Sequence, residues 1–220
     1  MQQIVLRLTR SQLSTENPFN FHPGQYLEII DPDGTAVPLS IASSPLELPE
    51  LHLHYQSIPG APGAALLDTL LASQQTLTIR GPGGDVFVDA GDTRPLLLIC
   101  GGTGASQALA IIKDAQQRGI HRPVTLLACA DTDQGFYFRQ TLERLGADWL
   151  ESVYRADAIR TPANLGMRWL VENAQDHADR RIILCGSPPF VYAAADSLAQ
   201  AGIAASALES DVFAYAPRPA

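Results

Sequence analysis

The chain has 220 residues, of which 46% are hydrophobic and 17% charged, and its formal net charge is −8. A chain of this length accommodates two small domains and buries enough surface to fold without disulfides or metal staples. The acidic balance, with no run of Lys or Arg, argues against a nucleic-acid partner.

The first residues, MQQIVLRLTR, lack the basic flank, apolar core and cleavage site of a signal peptide, and no apolar run is long enough for a membrane span. Three cysteines, Cys100, Cys129 and Cys185, lie far apart. Their odd number suits a reducing compartment and excludes a four-cysteine iron–sulfur cluster built from them. We therefore expect a cytoplasmic protein without a membrane partner.

Short strands separated by Pro and Gly are expected in the first ninety residues, with one helical segment, Ala64–Leu71. Leu51, Leu53 and Tyr55 alternate with polar residues, the period of a half-buried strand. The pattern predicts a six-stranded antiparallel barrel over residues 1–92. Its predicted strands are Ile4–Leu8, Gln25–Ile30, Leu39–Ser43, Leu51–Gln56, Thr76–Arg80 and Val86–Val88.

Strands and helices alternate after residue 92, which predicts a parallel sheet with helices on both faces over residues 93–220. The predicted strands are Leu96–Cys100, Val124–Ala130, Trp149–Tyr154 and Ile182–Cys185, with an extended segment over Ala207–Tyr215. The predicted helices are Ala105–Arg118, one near Gly135–Leu145, Asn164–Asn173 and Pro189–Ala201.

The first parallel strand ends in a glycine turn, Gly101-Gly102-Thr103-Gly104, immediately before a predicted helix. Such a turn offers free backbone N–H groups to an anion at the carboxyl edge of the sheet. The turn lacks the full G-x-G-x-x-G pattern, and the absence of Gly-Lys-Ser/Thr excludes a P-loop. A tight turn without a ligand is the alternative explanation for these glycines.

Two further patterns bear on chemistry. A second glycine turn follows Cys185, and two turns at one sheet edge define a crevice for an extended ligand. Ser106 lies in a segment close to a G-x-S-x-G nucleophile elbow, and His177 could serve it as base. Ser106 comes six residues past the strand end, however, and His177 lies in a polar segment, so a hydrolase is the weaker alternative.

Three motifs together resemble the ferredoxin–NADP reductase superfamily in their order and spacing: VPLSIAS at 37–43, GGTG at 101–104 and CGSPPF at 185–190. The chain is most similar to the bacterial NAD(P)H:flavin oxidoreductases, also at its end, ESDVFAYAP. The resemblance implies a flavin-binding Greek-key barrel, a nicotinamide-nucleotide domain and hydride transfer from nicotinamide to flavin. It further implies free flavin, a flavin-dependent oxygenase or another electron acceptor as the partner.

The resemblance also implies the roles of individual residues. Ser40 would bond the flavin N5 region, Cys185 would flank the nicotinamide, and Asp211 would lie near the flavin; these three are the predicted catalytic residues. The residues predicted to bind flavin are Pro38, Leu39, Ser40, Ile41, Ala42, Ser43 and Phe213. The residues predicted to bind NADH or NADPH are Gly101, Gly102, Thr103, Gly104, Ser106, Asp131, Cys185, Gly186 and Pro188.

The sequence departs from the family pattern where the flavin phosphate binds. The family's motif arginine is Val37 here, and its aromatic residue is Leu39. A valine cannot bind phosphate as a guanidinium does. The segment 63–65 also lacks the Ser or Thr of members that bind flavin tightly. We therefore expect FAD or FMN to bind weakly and to act as a substrate that leaves the protein. The alternative function is that of a non-catalytic subunit, in which a degenerate flavin-reductase fold binds a nucleotide or a partner.

Two further pairs of residues bear on the choice of nucleotide and on metal binding. Asp131 and Asp133 follow the second parallel strand, where a carboxylate would accept a ribose hydroxyl and repel a 2′-phosphate, which favours NADH over NADPH; loop capping is the alternative. His52 and His54 share one face of a predicted strand, and without a third ligand we expect a solvent-facing pair and no metal.

Overall fold

The computed structural model of the chain describes residues 1–8, 19–60, 63–73, 76–157 and 164–218. The amino-terminal region contains five strands and one helix. The strands are β1 (Gln2–Arg7), β2 (Tyr26–Ile30), β3 (Ala36–Ser40), β4 (Glu50–Tyr55) and β5 (Thr78–Gly83), and the helix is α1 (Ala64–Ser73).

These strands pair in two antiparallel sheets, β1 with β4 and β2 between β3 and β5. A single bridge between Ile41 and Leu53 connects the two sheets. Their shared core contains Leu27, Ile29 and Leu67, all at 0% exposure. The antiparallel prediction holds, but the described residues of this region form five strands in two sheets rather than six strands in one barrel.

Two strand predictions in this region were wrong. Residues 86–88 form no strand, and the Val88 amide donates to the carbonyl oxygen of Pro23 at 3.0 Å. The third strand begins at Ala36 instead of Leu39, because the preceding turn sets its start. There, Asp31 accepts the Thr35 amide on its side chain at 2.7 Å, and Gly34 adopts φ +86°.

The carboxy-terminal region is an α/β layer structure. Its strands are β6 (Leu96–Gly101), β7 (Val124–Ala130), β8 (Leu150–Ala156), β9 (Arg181–Cys185) and β10 (Leu208–Glu209). Its helices are α2 (Ala105–Arg118), α3 (Arg139–Leu145), α4 (Leu165–Asn173), α5 (Pro188–Gln200) and α6 (Val212–Tyr215).

All five strands are parallel, in the order β10-β9-β6-β7-β8, which confirms the predicted sheet. One core packs α2 and α3 against one face, and a second core packs α4 and α5 against the other. The segment predicted to be extended, 207–215, is a strand only at Leu208–Glu209. Beyond it the Asp211 carbonyl accepts the amides of Ala214 and Tyr215, which closes α6.

The change from antiparallel to parallel pairing falls between Gly83 and Leu96; a domain boundary at residues 92 and 93 stays a prediction. Among the described residues no helix is long and apolar enough to cross a membrane.

Candidate functional site

The two glycine turns meet at the carboxyl edge of the parallel sheet. Register places Cys100 of β6 beside Cys185 of β9, so both turns begin at the same level. A Cβ atom on Gly104 would overlap the carbonyl oxygen of Cys185. The start of α2 therefore packs directly against the end of β9, which only glycine permits.

Phe190 explains two more of the glycines. Its ring is 3% exposed, and a Cβ atom on either Gly101 or Gly186 would come within 2.8 Å of it. These two positions lack side chains because α5 packs its first turn onto the sheet at this point.

Gly102 differs from the other three. It adopts φ +56°, and a Cβ atom there would meet nothing within 4 Å. Both Gly102 and Thr103 are partly exposed, and the N-cap of α2 is Gly104, which has no capping side chain. Of the predicted nucleotide-binding turn, this is the part of the backbone that is open to a ligand.

Cys185 and Asp211 lie close enough to interact electrostatically. The Cys185 side chain is 1% exposed, and burial together with the charge of Asp211 raises the pKa of its thiol. Asp211 accepts the backbone amides of Asp85 and Val86 at 3.1 and 3.2 Å. Burial raises the pKa of the Asp211 carboxyl, although these two hydrogen bonds act in the opposite direction. Asp211 thus ties the carboxy-terminal segment to the loop after β5.

Ser40 is linked to the region of Asp211 by its neighbour on the adjacent strand, Tyr26. The two residues are partners in the β2–β3 register. The Tyr26 ring lies across Gly83, where a Cβ atom would come within 2.8 Å of it. At Gly84 a Cβ atom would meet both the Tyr26 ring, at 3.1 Å, and Asp211 Oδ2, at 3.0 Å. The three predicted catalytic residues, Ser40, Cys185 and Asp211, are therefore brought to one region.

Tyr26 was not among the predicted site residues. Burial and the charges of Glu28 and Asp211 raise the pKa of its phenol. Its pairing with Ser40 depends on the β2–β3 register, which the turn at 31–35 sets. Recognising that turn in the sequence would have placed an aromatic ring beside Ser40.

The other predicted flavin residues occupy two environments. Pro38 is exposed, on the same sheet face as Ser40, whereas Leu39 packs against the amino-terminal core. The next three, Ile41, Ala42 and Ser43, are at most 1% exposed. Phe213 lies with its ring centroid 5.7 Å from that of Tyr192 on α5.

The position of the missing arginine is filled by an apolar contact. Val37 packs against Gly63, the residue before α1, where an added Cβ atom would come within 2.8 Å of a Val37 methyl group. Gly63 has φ +76°, so it keeps the helix entry close to β3. Among the described residues the neighbouring cation on this sheet is Arg80, which Glu28 engages at 2.6 Å.

Ser106, in the carboxy-terminal region, contacts His54 of the amino-terminal region. Its hydroxyl lies 3.1 Å from His54 Nδ1, and the Tyr137 hydroxyl lies 2.9 Å from the same nitrogen. His54 is 9% exposed and Ser106 is 1% exposed. The expectation of a solvent-facing histidine pair was wrong for His54, because α2 covers this end of β4. The cofactor role of Ser106 stays a prediction.

The alternative Ser106–His177 pair is not formed. The neighbouring residues, such as Asp176 and Asp179, are exposed as expected, but the His177 side chain is 7% exposed and stacks on Trp169, with ring centroids 5.6 Å apart. The imidazole that does contact Ser106 is held neutral, since burial, Lys113 and His52 lower the pKa of His54 to about 4. A base with so low a pKa is poorly matched to activating a serine near neutral pH.

Further polar contacts fix the two regions against each other. Ser44 donates to Asp114 at 2.9 Å, Lys113 pairs with Glu47 at 3.2 Å, and Gln107 donates to the Val86 carbonyl at 2.9 Å. Within the described ranges no three His, Cys, Asp or Glu side chains come together as a metal site.

Comparison with known proteins identifies the class. Residues 98–196 match the family model of the oxidoreductase NAD-binding domain. A probable flavin reductase of Photobacterium leiognathi is 30% identical over 212 residues, 90% of this chain and 88% of the relative. A reductase component of terephthalate 1,2-dioxygenase from Comamonas is 30% identical over 220 residues, 96% of this chain and 64% of the relative.

A cytochrome P450 reductase of Amycolatopsis has the same fold, with a TM-score of 0.76 at 22% identity over 95% of this chain and 64% of that protein. The chain spans 64% of the length of the dioxygenase reductase components that it matches. Taken together, these matches show that the chain belongs to the ferredoxin–NADP reductase superfamily, near its flavin reductases.

Proposed function

We propose that this protein is an NAD(P)H-dependent flavin reductase that transfers hydride from nicotinamide to a loosely bound FAD or FMN. The observation that carries the proposal is the convergence of Ser40, Tyr26, Asp211 and Cys185, together with the open backbone at Gly102, which follows the strand paired with that of Cys185. Residues from both halves of the chain contribute to this region, as a reaction between two cofactors requires.

The nicotinamide half fits its cofactor. Gly102 and Thr103 present exposed backbone at the start of α2, a helix of 14 residues whose first-turn amides suit a pyrophosphate. Asp131, exposed just past the end of β7, is proposed to receive the adenosine ribose and to favour NADH. Gly186 and Pro188, at the start of α5, complete the proposed nicotinamide side.

The flavin half fits the ring and not the phosphate. Ser40, Tyr26 and Pro38 share the open face of the three-stranded sheet and provide a hydroxyl, a phenol and an apolar surface. At the phosphate position Val37 offers no charge and no hydrogen-bond donor. We therefore propose that recognition is concentrated on the isoalloxazine ring and that flavin exchanges with solution as a substrate.

The protein's own groups align the rings and control solvent. When both cofactors are bound, nicotinamide supplies a hydride and flavin N5 accepts it. Ser40 would donate a hydrogen bond to the flavin N5 region, and the Tyr26 ring covers Gly83 and Gly84. Asp211 holds the loop after β5 against the sheet, and the buried neutral thiol of Cys185 keeps the floor of the region uncharged.

The relatives indicate the class of acceptor. Two are named as flavin reductases, and others are named as reductase components of dioxygenase systems. We propose that free oxidised flavin receives the electrons, or that the reduced flavin passes them on to a protein partner of the oxygenase type, and that the reaction takes place in the cytoplasm. The five described strands would form the flavin-binding barrel, with the non-strand segment 84–88 in the sixth position.

The test is NADH oxidation by the purified chain with FMN, followed at the nicotinamide absorbance band. We expect flavin-dependent turnover, and Ser40→Ala should lower kcat about tenfold, the effect of one hydrogen bond in the transition state. Ser73→Ala, an exposed serine at the end of α1, is the matched control. If NADH is not consumed while both nucleotides bind, the chain is the non-catalytic binding subunit instead.

A further inference from the structure

A pocket lies between the two regions, next to the contact of His54 with Ser106. Its volume is about 150 Å³. On one side it is bounded by Gln3 of β1 and His54 of β4, and on the other by Leu109 of α2 and Thr141 of α3. None of its lining residues belongs to the predicted cofactor site.

The polar part of the pocket is built around His54. The hydroxyls of Tyr137 and Ser106 both lie within hydrogen-bond distance of its Nδ1, at 2.9 and 3.1 Å. Nδ1 therefore has protein partners in either tautomer of the neutral ring. No described residue forms a hydrogen bond with Nε2, so His54 has one ring nitrogen left for a molecule in the pocket it lines.

The charges around the pocket cancel. Lys113 is the cation of the lining, and its ammonium pairs with Glu47 at 3.2 Å. Both side chains are largely buried, at 14% and 20% exposure. The phenol of Tyr137 is neutral, because burial raises its pKa. A charged ligand would lose its hydration here without gaining an unpaired partner.

The remaining wall is apolar and sets the size. Leu109 and Phe138 are 3% and 4% exposed and face the pocket. A dry cavity of about 150 Å³ holds one benzene molecule in a well-studied engineered protein. The pocket therefore has room for a single six-membered ring with a small substituent.

We propose that this pocket binds a small neutral molecule with one ring and one hydroxyl, the size of phenol. Its ring packs on Leu109 and Phe138, and its hydroxyl, which can donate or accept, forms a hydrogen bond with His54 Nε2. Thr141 and Gln3 lie in the same lining as further polar partners for that hydroxyl. Since such a ligand touches both regions of the chain, it stabilises their contact, independently of any redox activity.

The first test uses phenol and benzoate, which have similar size and different charge, on the full chain. Calorimetry and thermal unfolding should show saturable phenol binding with a rise in Tm, and benzoate at least about tenfold weaker. Thr141→Phe fills the pocket from α3 and should abolish phenol binding. Thr69→Phe, on the exposed side of α1, is the matched control and should not.

The second test changes the charge without changing the shape. Glu47→Gln leaves Lys113 unpaired, so benzoate should bind at least about tenfold more tightly while phenol changes by less than about threefold. The proposal is overturned if wild-type protein does not bind phenol, or if Thr141→Phe binds it unchanged. Equal binding of benzoate by the wild type, or no gain in Glu47→Gln, overturns the neutral ligand class.

Discussion

The two halves of the proposed cleft differ in how much of the family pattern they retain. On the carboxy-terminal side the glycine turns are complete, and each glycine has a physical explanation in Phe190, in the Cys185 carbonyl or in a positive φ. On the amino-terminal side Ser40 is present, but Val37 and Leu39 replace the arginine and the aromatic residue.

Under the proposed function, this difference indicates which contacts a flavin reductase of this kind can lose. A nucleotide site made from backbone depends on the packing of its turn, so its glycines cannot be exchanged. A phosphate contact made by one side chain can be removed without disturbing the sheet that holds the ring. Each of the four predictions below changes one half of the proposed cleft or the contact between the two halves at His54.

The largest effect is expected at Gly104. Gly104→Ala places a Cβ atom into the Cys185 carbonyl and separates α2 from β9, which should cost about 3 kcal/mol of unfolding free energy. NADH affinity should fall more than about tenfold, because a shift of roughly 1.4 kcal/mol is sufficient. Urea unfolding and calorimetry measure both. Gly91→Ala, where a Cβ atom meets nothing within 4 Å, should change neither.

The joint between the halves should weaken in acid. The pKa of His54 is about 4 in the folded protein against an ordinary 6.5, so the unfolded chain takes up the proton first. Stability is complete above pH 6.5 and falls as the pH drops towards 4, by up to about 3 kcal/mol. Unfolding by urea at several pH values measures this slope.

His54→Gln should flatten the acid slope of stability, leaving the smaller part that comes from His177, whose pKa burial also lowers. His121→Gln is the matched control, since this side chain is 68% exposed. An unchanged slope in His54→Gln would show that the imidazole does not hold the two regions together.

Val37→Arg should make the flavin half resemble the rest of the family. Because Val37 contacts Gly63 at the entry to α1, the guanidinium would lie near free helix amides, a favourable place for a phosphate. FMN should bind about tenfold more tightly, and the affinity for riboflavin should not change, as measured by flavin fluorescence quenching. Val37→Leu controls for size. The same gain for both flavins would place the phosphate elsewhere.

The smallest effect is expected at Asp131. Asp131→Asn removes a charge that would repel a 2′-phosphate, so kcat/KM for NADPH should rise about threefold while the value for NADH falls slightly. Asp148→Asn, a residue whose side chain is 89% exposed, is the control. No change in the ratio of the two values would assign Asp131 to loop capping.

The parallel sheet could be predicted from the sequence because its strands are buried on both faces. The runs at 96–100 and 124–130 are continuous apolar segments, and α2 was predicted with its observed bounds. The helix ends where Gly119 adopts φ +66°, a stop that glycine marks in the sequence.

The antiparallel region was harder because its register comes from turns and from contacts with the other region. The turn at 31–35 shifts β3 by three residues and thereby pairs Tyr26 with Ser40. The burial of His54 depends on α2, more than fifty residues away along the chain. Alternation within one strand shows which residues share a face, but it does not show what covers that face.

The three cysteines have a consequence for the lifetime of the protein. Cys100, Cys129 and Cys185 are buried and free, and burial raises the pKa of each thiol, that of Cys129 to about 12. Under the proposed function, reduced flavin that escapes into aerated solution would generate hydrogen peroxide, which reacts with thiolates rather than with thiols. By keeping all three sulfur atoms protonated and away from water, the sheet would protect the protein from this by-product.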